Sequence, residues 1–282
     1  MPICRNKILY LLRRMRHKWQ RIYITNSSVN GPISVWELGR ERHLVFAEEL
    51  TYPQSVIVTK GSWSELQREY WGRMVQPPFE VPHQPRVLVL GLGGGTVVHL
   101  AHRLLHPGSI TAVELDPMVV QVARSYMGLN DIPNLDIRVA DVHVALMELR
   151  NDKKFDLIIE DVFHLGLPTN SADSVKRYIS SLTDLLALNG GIIFNRWFGR
   201  EREAMTEQFS RFLNEWFTHV ERKRVVQRWR NETIFASGFK KGLGKRESHR
   251  FIDSWRDSMS VWRIGIDAIC RRSFFKTLQL LS

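Results

Sequence analysis

The sequence predicts an α/β protein built on a doubly wound, mostly parallel sheet, and three observations carry that reading. Residues Arg86 to Asp116, RVLVLGLGGGTVVHLAHRLLHPGSITAVELD, run from an apolar strand through a glycine-rich turn into a helix, then into a second strand ending in Glu114. Two further strands also end in acid: Leu135 to Val139 leads to Asp141, and Phe155 to Ile159 leads to Glu160 and Asp161. From residue 86 to residue 239 strands and helices alternate, the pattern of parallel strands covered on both faces.

Each element has its own justification. Gly91, Gly93 and Gly95 let the backbone turn tightly and lie close to a ligand, while the helix that follows opens with unpaired amides. Such glycines also serve plain strand-to-helix packing. Glu114 lies about twenty residues further on, the spacing at which a carboxylate accepts the hydroxyls of a ribose. Asp116 and Pro117 suit a helix start, as cap and first helical residue. Ligands of parallel sheets bind outside the carboxyl ends of the strands, so Glu114, Asp141 and Asp161 are expected in one crevice, although each also reads as a helix cap. Gly190, Gly191 and the run IIFNRW form a fifth strand, and 218–227 with 233–239 read as a closing hairpin across Arg230 and Asn231 containing one antiparallel strand.

Upstream, residues 33–60 read as short strands and 62–76 as a helix carrying Tyr70 and Trp71, before the proline-rich linker of Pro77, Pro78, Pro82 and Pro85. Residues 247–281 read as a helical tail, with Phe251, Trp255, Met259 and Trp262 forming a docking stripe. The expected organisation is a basic extension (1–30), a small β-rich region with a helix (31–80), a nucleoside-binding Rossmann-like domain (81–240) and the helical tail (241–282).

The segments GLGGG, VELDP, VAD and IIEDVF, in this order and spacing, resemble the S-adenosylmethionine-dependent methyltransferase fold, most closely its spermidine synthase-like (polyamine aminopropyltransferase) branch. The resemblance runs from roughly Trp36 to Phe239 and implies a seven-stranded sheet preceded by a small amino-terminal β region, with Arg42 to Ile57 as a hairpin. It implies that Gly91, Gly93, Gly94 and Gly95 line the donor, that Glu114 holds its ribose and that Asp141 and Val142 border its adenine. It further implies that Asp161 deprotonates an attacking amine beside the active-site tyrosine, Tyr70. The implied donor is S-adenosylmethionine or decarboxylated S-adenosylmethionine, and the implied acceptor a small-molecule amine.

The departures are as informative. Polyamine aminopropyltransferases carry an aspartate within the glycine turn, where an acid complements the ammonium of the decarboxylated donor; this chain has Gly94. The second aspartate of the family, three residues after the catalytic one, is His164, and Trp71 and Gly72 follow Tyr70 where the family has His or Gln and then Glu. A diamine site is therefore short of acid. The expected activity is alkylation of an amine by an adenosyl sulfonium, as aminopropyl or methyl transfer. The alternatives are a methyltransferase of a non-polyamine substrate and a non-catalytic relative that binds nucleoside or nucleic acid.

Composition fits this class. The 282 residues carry a net charge of +11, and no acidic residue precedes Glu37. Before it, Arg5, Lys7, Arg13, Arg14, Arg16, Lys18 and Arg21 alternate with apolar residues, a pattern open to a solvated amphipathic helix, an anionic membrane surface, nucleic acid or a transit peptide. A second basic cluster, Arg222, Lys223, Arg224, Arg228 and Arg230 around Trp229, reads as a solvated strand, and no RNA-binding motif accompanies it. No apolar run is long enough to span a bilayer. Cys4 and Cys270 have neither metal spacing nor a disulfide framework, so no metal is expected and the setting is read as cytoplasmic. A homodimer is among the assemblies allowed.

Overall fold

The computed structural model describes residues 18–162, 172–197, 203–225 and 231–240. They form two sheets. The first is an antiparallel meander of β1 (Gln20–Ser27), β2 (Gly31–Leu38), β3 (Glu41–Val45) and β4 (Ser55–Val58). Two short helices, α1 (Ser64–Arg68) and α2 (Tyr70–Arg73), lead from it to the second sheet.

The second sheet contains β5 (Arg86–Leu90), β6 (Ser109–Glu114), β7 (Leu135–Val139), β8 (Phe155–Glu160), β9 (Leu186–Trp197), β10 (Phe217–Val225) and β11 (Asn231–Phe239). Its spatial order is β10-β11-β9-β8-β5-β6-β7. Strands β5 to β9 pair in parallel, and β11 runs antiparallel to both β9 and β10. The order reverses between β5 and β8, the topological switch point at which ligands of such sheets bind.

Side chains alternate across the central strands, so the apolar residues of each feed two cores. Val87, Val89, Leu157, Ile159, Ile193 and Phe235 face the first sheet, α2, α3 (Thr96–Leu105) and α4 (Pro117–Tyr126). Leu88, Leu90, Ile158, Ile192, Phe194 and Ile234 face α5 (Val142–Glu148), α6 (Ala172–Thr183) and α7 (Glu203–Trp216).

Two differences from the sequence reading have plain causes. Strand β1 lies inside the expected basic extension, because Gln20 to Ser27 finds a partner in β2 from Gln20↔Glu37 to Ser27↔Gly31. The expected helix 62–76 is broken in two, since Glu69 is extended (φ −77, ψ 176), and a side chain at Gly72 would strike the backbone of Gln67 as α2 folds back on α1. The basic segment up to residue 17, His164, Arg228, Trp229, Arg230 and the tail stripe lie outside the described residues. Among the described residues no helix is long and apolar enough to cross a membrane.

Candidate active site at the switch point

Strands β5 and β8 bring Gly91 against Asp161. The Asp161 amide donates to Leu90 O at 2.8 Å, and a Cβ on Gly91 would strike the Asp161 carbonyl. Gly91 also has φ +87, so only glycine meets both conditions without strain. The turn is then fixed by side chains. Glu114, at the end of β6, accepts from Gly93 N (2.9 Å) and Asp116 N (3.1 Å). Burial pushes its carboxyl above the usual range, and those amides partly offset the rise. A carboxylate with two oxygens still has acceptor capacity for ribose hydroxyls beyond these two bonds.

The other side of the turn is held by β4, a contact that the sequence reading missed. Gly94 N donates to Ser55 Oγ at 2.7 Å, Val56 N donates to Thr96 Oγ1 at 2.9 Å, and the Thr96 hydroxyl donates to Val56 O at 2.8 Å. A Cβ at Gly94 would lie 2.7 Å from Ser55 Cβ and 3.0 Å from Met127 Cε. The place of the missing acid is therefore closed by neighbours.

Asp161 is half-buried, and its Oδ1 accepts from Asn195 Nδ2 at 2.6 Å. Burial first, then the charge of Glu160, raises its carboxyl to about 7, with Asn195 and Arg196 opposing the rise. Tyr70, buried on α2, feels the Asp161 charge, and its phenol is raised well above its ordinary value, chiefly by burial. It thus stays a neutral hydroxyl, its ring tilted against that of Trp71 at 4.4 Å between centroids.

Glu160 points the other way. It is fully buried on the opposite face, where it pairs with Arg196 and accepts from Tyr178 at 3.3 Å. Its charge is committed, so it cannot replace an acid in the turn. Asp141 caps α5, accepting from His143 N at 2.8 Å; its side chain is exposed and Val142 is buried behind it. Asp116 caps α4 as expected and, from inside, also accepts from Ser27 Oγ (2.5 Å) and Asn30 Nδ2 (2.7 Å). In the second basic cluster, Arg222 forms a two-bond pair with buried Glu232, and Arg224 reaches Glu203 and Glu232. No group of metal-ligating side chains occurs among the described residues.

A family model described as Spermine/spermidine synthase domain matches residues 74–225. The polyamine aminopropyltransferase of Vibrio vulnificus is 24% identical over 151 residues, covering 51% of this chain and 50% of that protein. The eEF1A lysine and N-terminal methyltransferase homolog of Drosophila melanogaster is 38% identical over 194 residues, 66% of this chain and 27% of that protein. The chain thus spans no more than half the length of either relative. The crystal structure of spermidine synthase from Thermotoga maritima matches with a TM-score of 0.57 at 20% identity, over 79% of this chain and 75% of that one, a likeness of fold.

Proposed function

The chain belongs to the spermine/spermidine synthase domain family, and we propose that it is a transferase that binds an adenosyl sulfonium donor at the β5/β8 switch point and alkylates an amine. One observation carries the proposal: the backbone of Asp161 packs on Gly91 of the glycine turn while its side chain is held by Asn195 Nδ2 at 2.6 Å, and burial raises that carboxyl to about 7. A base of that strength is half ionised near neutrality and is matched to taking a proton from an attacking amine. Glu114 would accept the ribose hydroxyls, with Asp141 and Val142 at the adenine. The donor supplies a carbon activated by the positive sulfur. The amine nitrogen forms a bond to that carbon, the carbon–sulfur pair leaves on a neutral thioether, and the amine proton passes to Asp161, with the Tyr70 hydroxyl orienting the amine.

Intact S-adenosylmethionine, and so methyl transfer, is favoured by position 94. Ser55 and Met127 close that position, and Glu160 is paired on the far face, so no acid among the described residues of the turn awaits the lone ammonium of a decarboxylated donor. The two-cysteine composition supports a cytoplasmic setting.

Glu114 provides the test. Glu114→Gln keeps an acceptor for Gly93 N but removes the charge, and Glu114→Ala removes both. Hydrogen bonds to a charged acceptor are worth roughly 1.5 to 3 kcal/mol each, so affinity for methylthioadenosine should fall at least about tenfold in the alanine variant and less in the glutamine one. Unchanged affinity in both would show that the ribose lies elsewhere.

A further inference from the structure

Asp161 is held by a side chain of β9, which is itself held by a side chain of β11. Asn195 Nδ2 donates to Asp161 Oδ1 at 2.6 Å, and Asn231 Nδ2 donates to Asn195 Oδ1 at 2.9 Å. Both asparagines are inside the protein, 5% and 1% exposed. In the register of β9 and β11, Asn195 lies opposite Thr233 and Asn231 opposite Trp197, so the two amides are diagonal neighbours on one face of the sheet. Alternation along β9 puts Ile193 and Asn195 on the face that carries Tyr70 and the glycine turn, while Phe194 and Arg196 serve the other.

Burying an amide is costly unless it is hydrogen-bonded, and valine or isoleucine would fill either site without that cost. The amides are also directional. Because Asn231 donates to the Asn195 oxygen, turning the Asn195 amide over would lose that bond and set its oxygen against the Asp161 carboxylate. Asn231 therefore determines which end of Asn195 faces the acid.

We propose that Asn195 and Asn231 are positioning residues of the transfer site: Asn231 orients the Asn195 amide, and Asn195 aims and stabilises the ionised Asp161 carboxylate for the incoming amine. This rests on the transferase reading for its purpose but not for its geometry. Among the described residues, the charged and titratable groups that act on Asp161 are Tyr70 from α2, Glu160 at the end of β8 and Arg196 from β9. None of these is altered by changing either asparagine.

The test is a direct titration of the full chain labelled with carboxyl-13C aspartate, the Asp161 signal being identified by its loss in Asp161→Asn. Wild type should titrate near 7. Losing a hydrogen bond to a charged acceptor should move the midpoint up by about one unit in Asn195→Ala, and by a smaller amount in the isosteric Asn231→Leu. An unchanged midpoint in folded Asn195→Ala overturns the proposal. A shift there with none in Asn231→Leu overturns the orienting role of Asn231. If Asn195→Ala fails to fold, Asn231→Leu decides, and an unchanged midpoint counts against both residues. The titration needs neither donor nor acceptor, so its failure is separate from loss of methylthioadenosine binding, which bears on the transferase reading.

Discussion

With its carboxyl raised from 3.8 to about 7, Asp161 binds a proton more tightly in the folded chain than in the unfolded one. Stability therefore falls as pH rises between those values, because the folded state must ionise a carboxyl that burial keeps protonated. The contribution is fully present below about 4 and lost as pH rises through about 7. Asp161→Asn cannot ionise, and its side-chain oxygen can still accept from Asn195. Its melting temperature relative to wild type should accordingly rise between pH 5 and pH 8, while affinity for methylthioadenosine holds and turnover drops by roughly a hundredfold or more. Parallel melting curves at the two pH values would mean that the Asp161 carboxyl is not raised as described. The pairing of Glu160 with Arg196 shows what sequence can disclose at this scale. Glu160 ends β8 and Asp161 follows it directly, so the alternation of the strand sends them to opposite faces; which face holds the site depends on the helices that pack there.

Among the elements, β4 matters more than its four residues suggest. Its bonds to Thr96 and Gly94 join the small sheet to the glycine turn, so the turn depends on a strand about forty residues upstream. Thr96→Val keeps the shape and leaves the Val56 amide and carbonyl without that partner. It should cost about 1 to 3 kcal/mol in denaturant unfolding and weaken methylthioadenosine binding, and Thr96→Ser should restore both. Normal nucleoside affinity in Thr96→Val would separate the clasp from the site. The glycine turn, the Asp116–Pro117 cap and the strands ending in Glu114, Asp141 and Asp161 were legible because each is a local pattern of residue type and spacing. Ser55, Thr96, Asn195 and Asn231 were not, since their roles depend on register between segments 34 to 40 residues apart. The one available signal was an asparagine inside the apolar run IIFNRW.

For the molecule as a whole, the small sheet is tied to α4 and its cap by polar contacts: Asp116 with Ser27 and Asn30, and Arg42 with the Tyr126 carbonyl. Ligands of parallel sheets bind in the crevice outside the carboxyl ends of the strands, and it is there that the proposed donor would set its positive sulfur against Asp161 and its ribose against Glu114. On β10 the charges of Arg222 and Arg224 are paired with Glu203 and Glu232, so the basic cluster does not by itself make β10 a nucleic-acid surface. The central claim is that this crevice takes an adenosyl sulfonium with its carboxylate intact. Calorimetric titration of the full chain with S-adenosylmethionine, its decarboxylated form and methylthioadenosine tests it most directly. Saturable binding of methylthioadenosine, with S-adenosylmethionine bound at least as tightly as the decarboxylated form, is the predicted result; no binding of any of the three, or a tenfold preference for the decarboxylated donor, would contradict it.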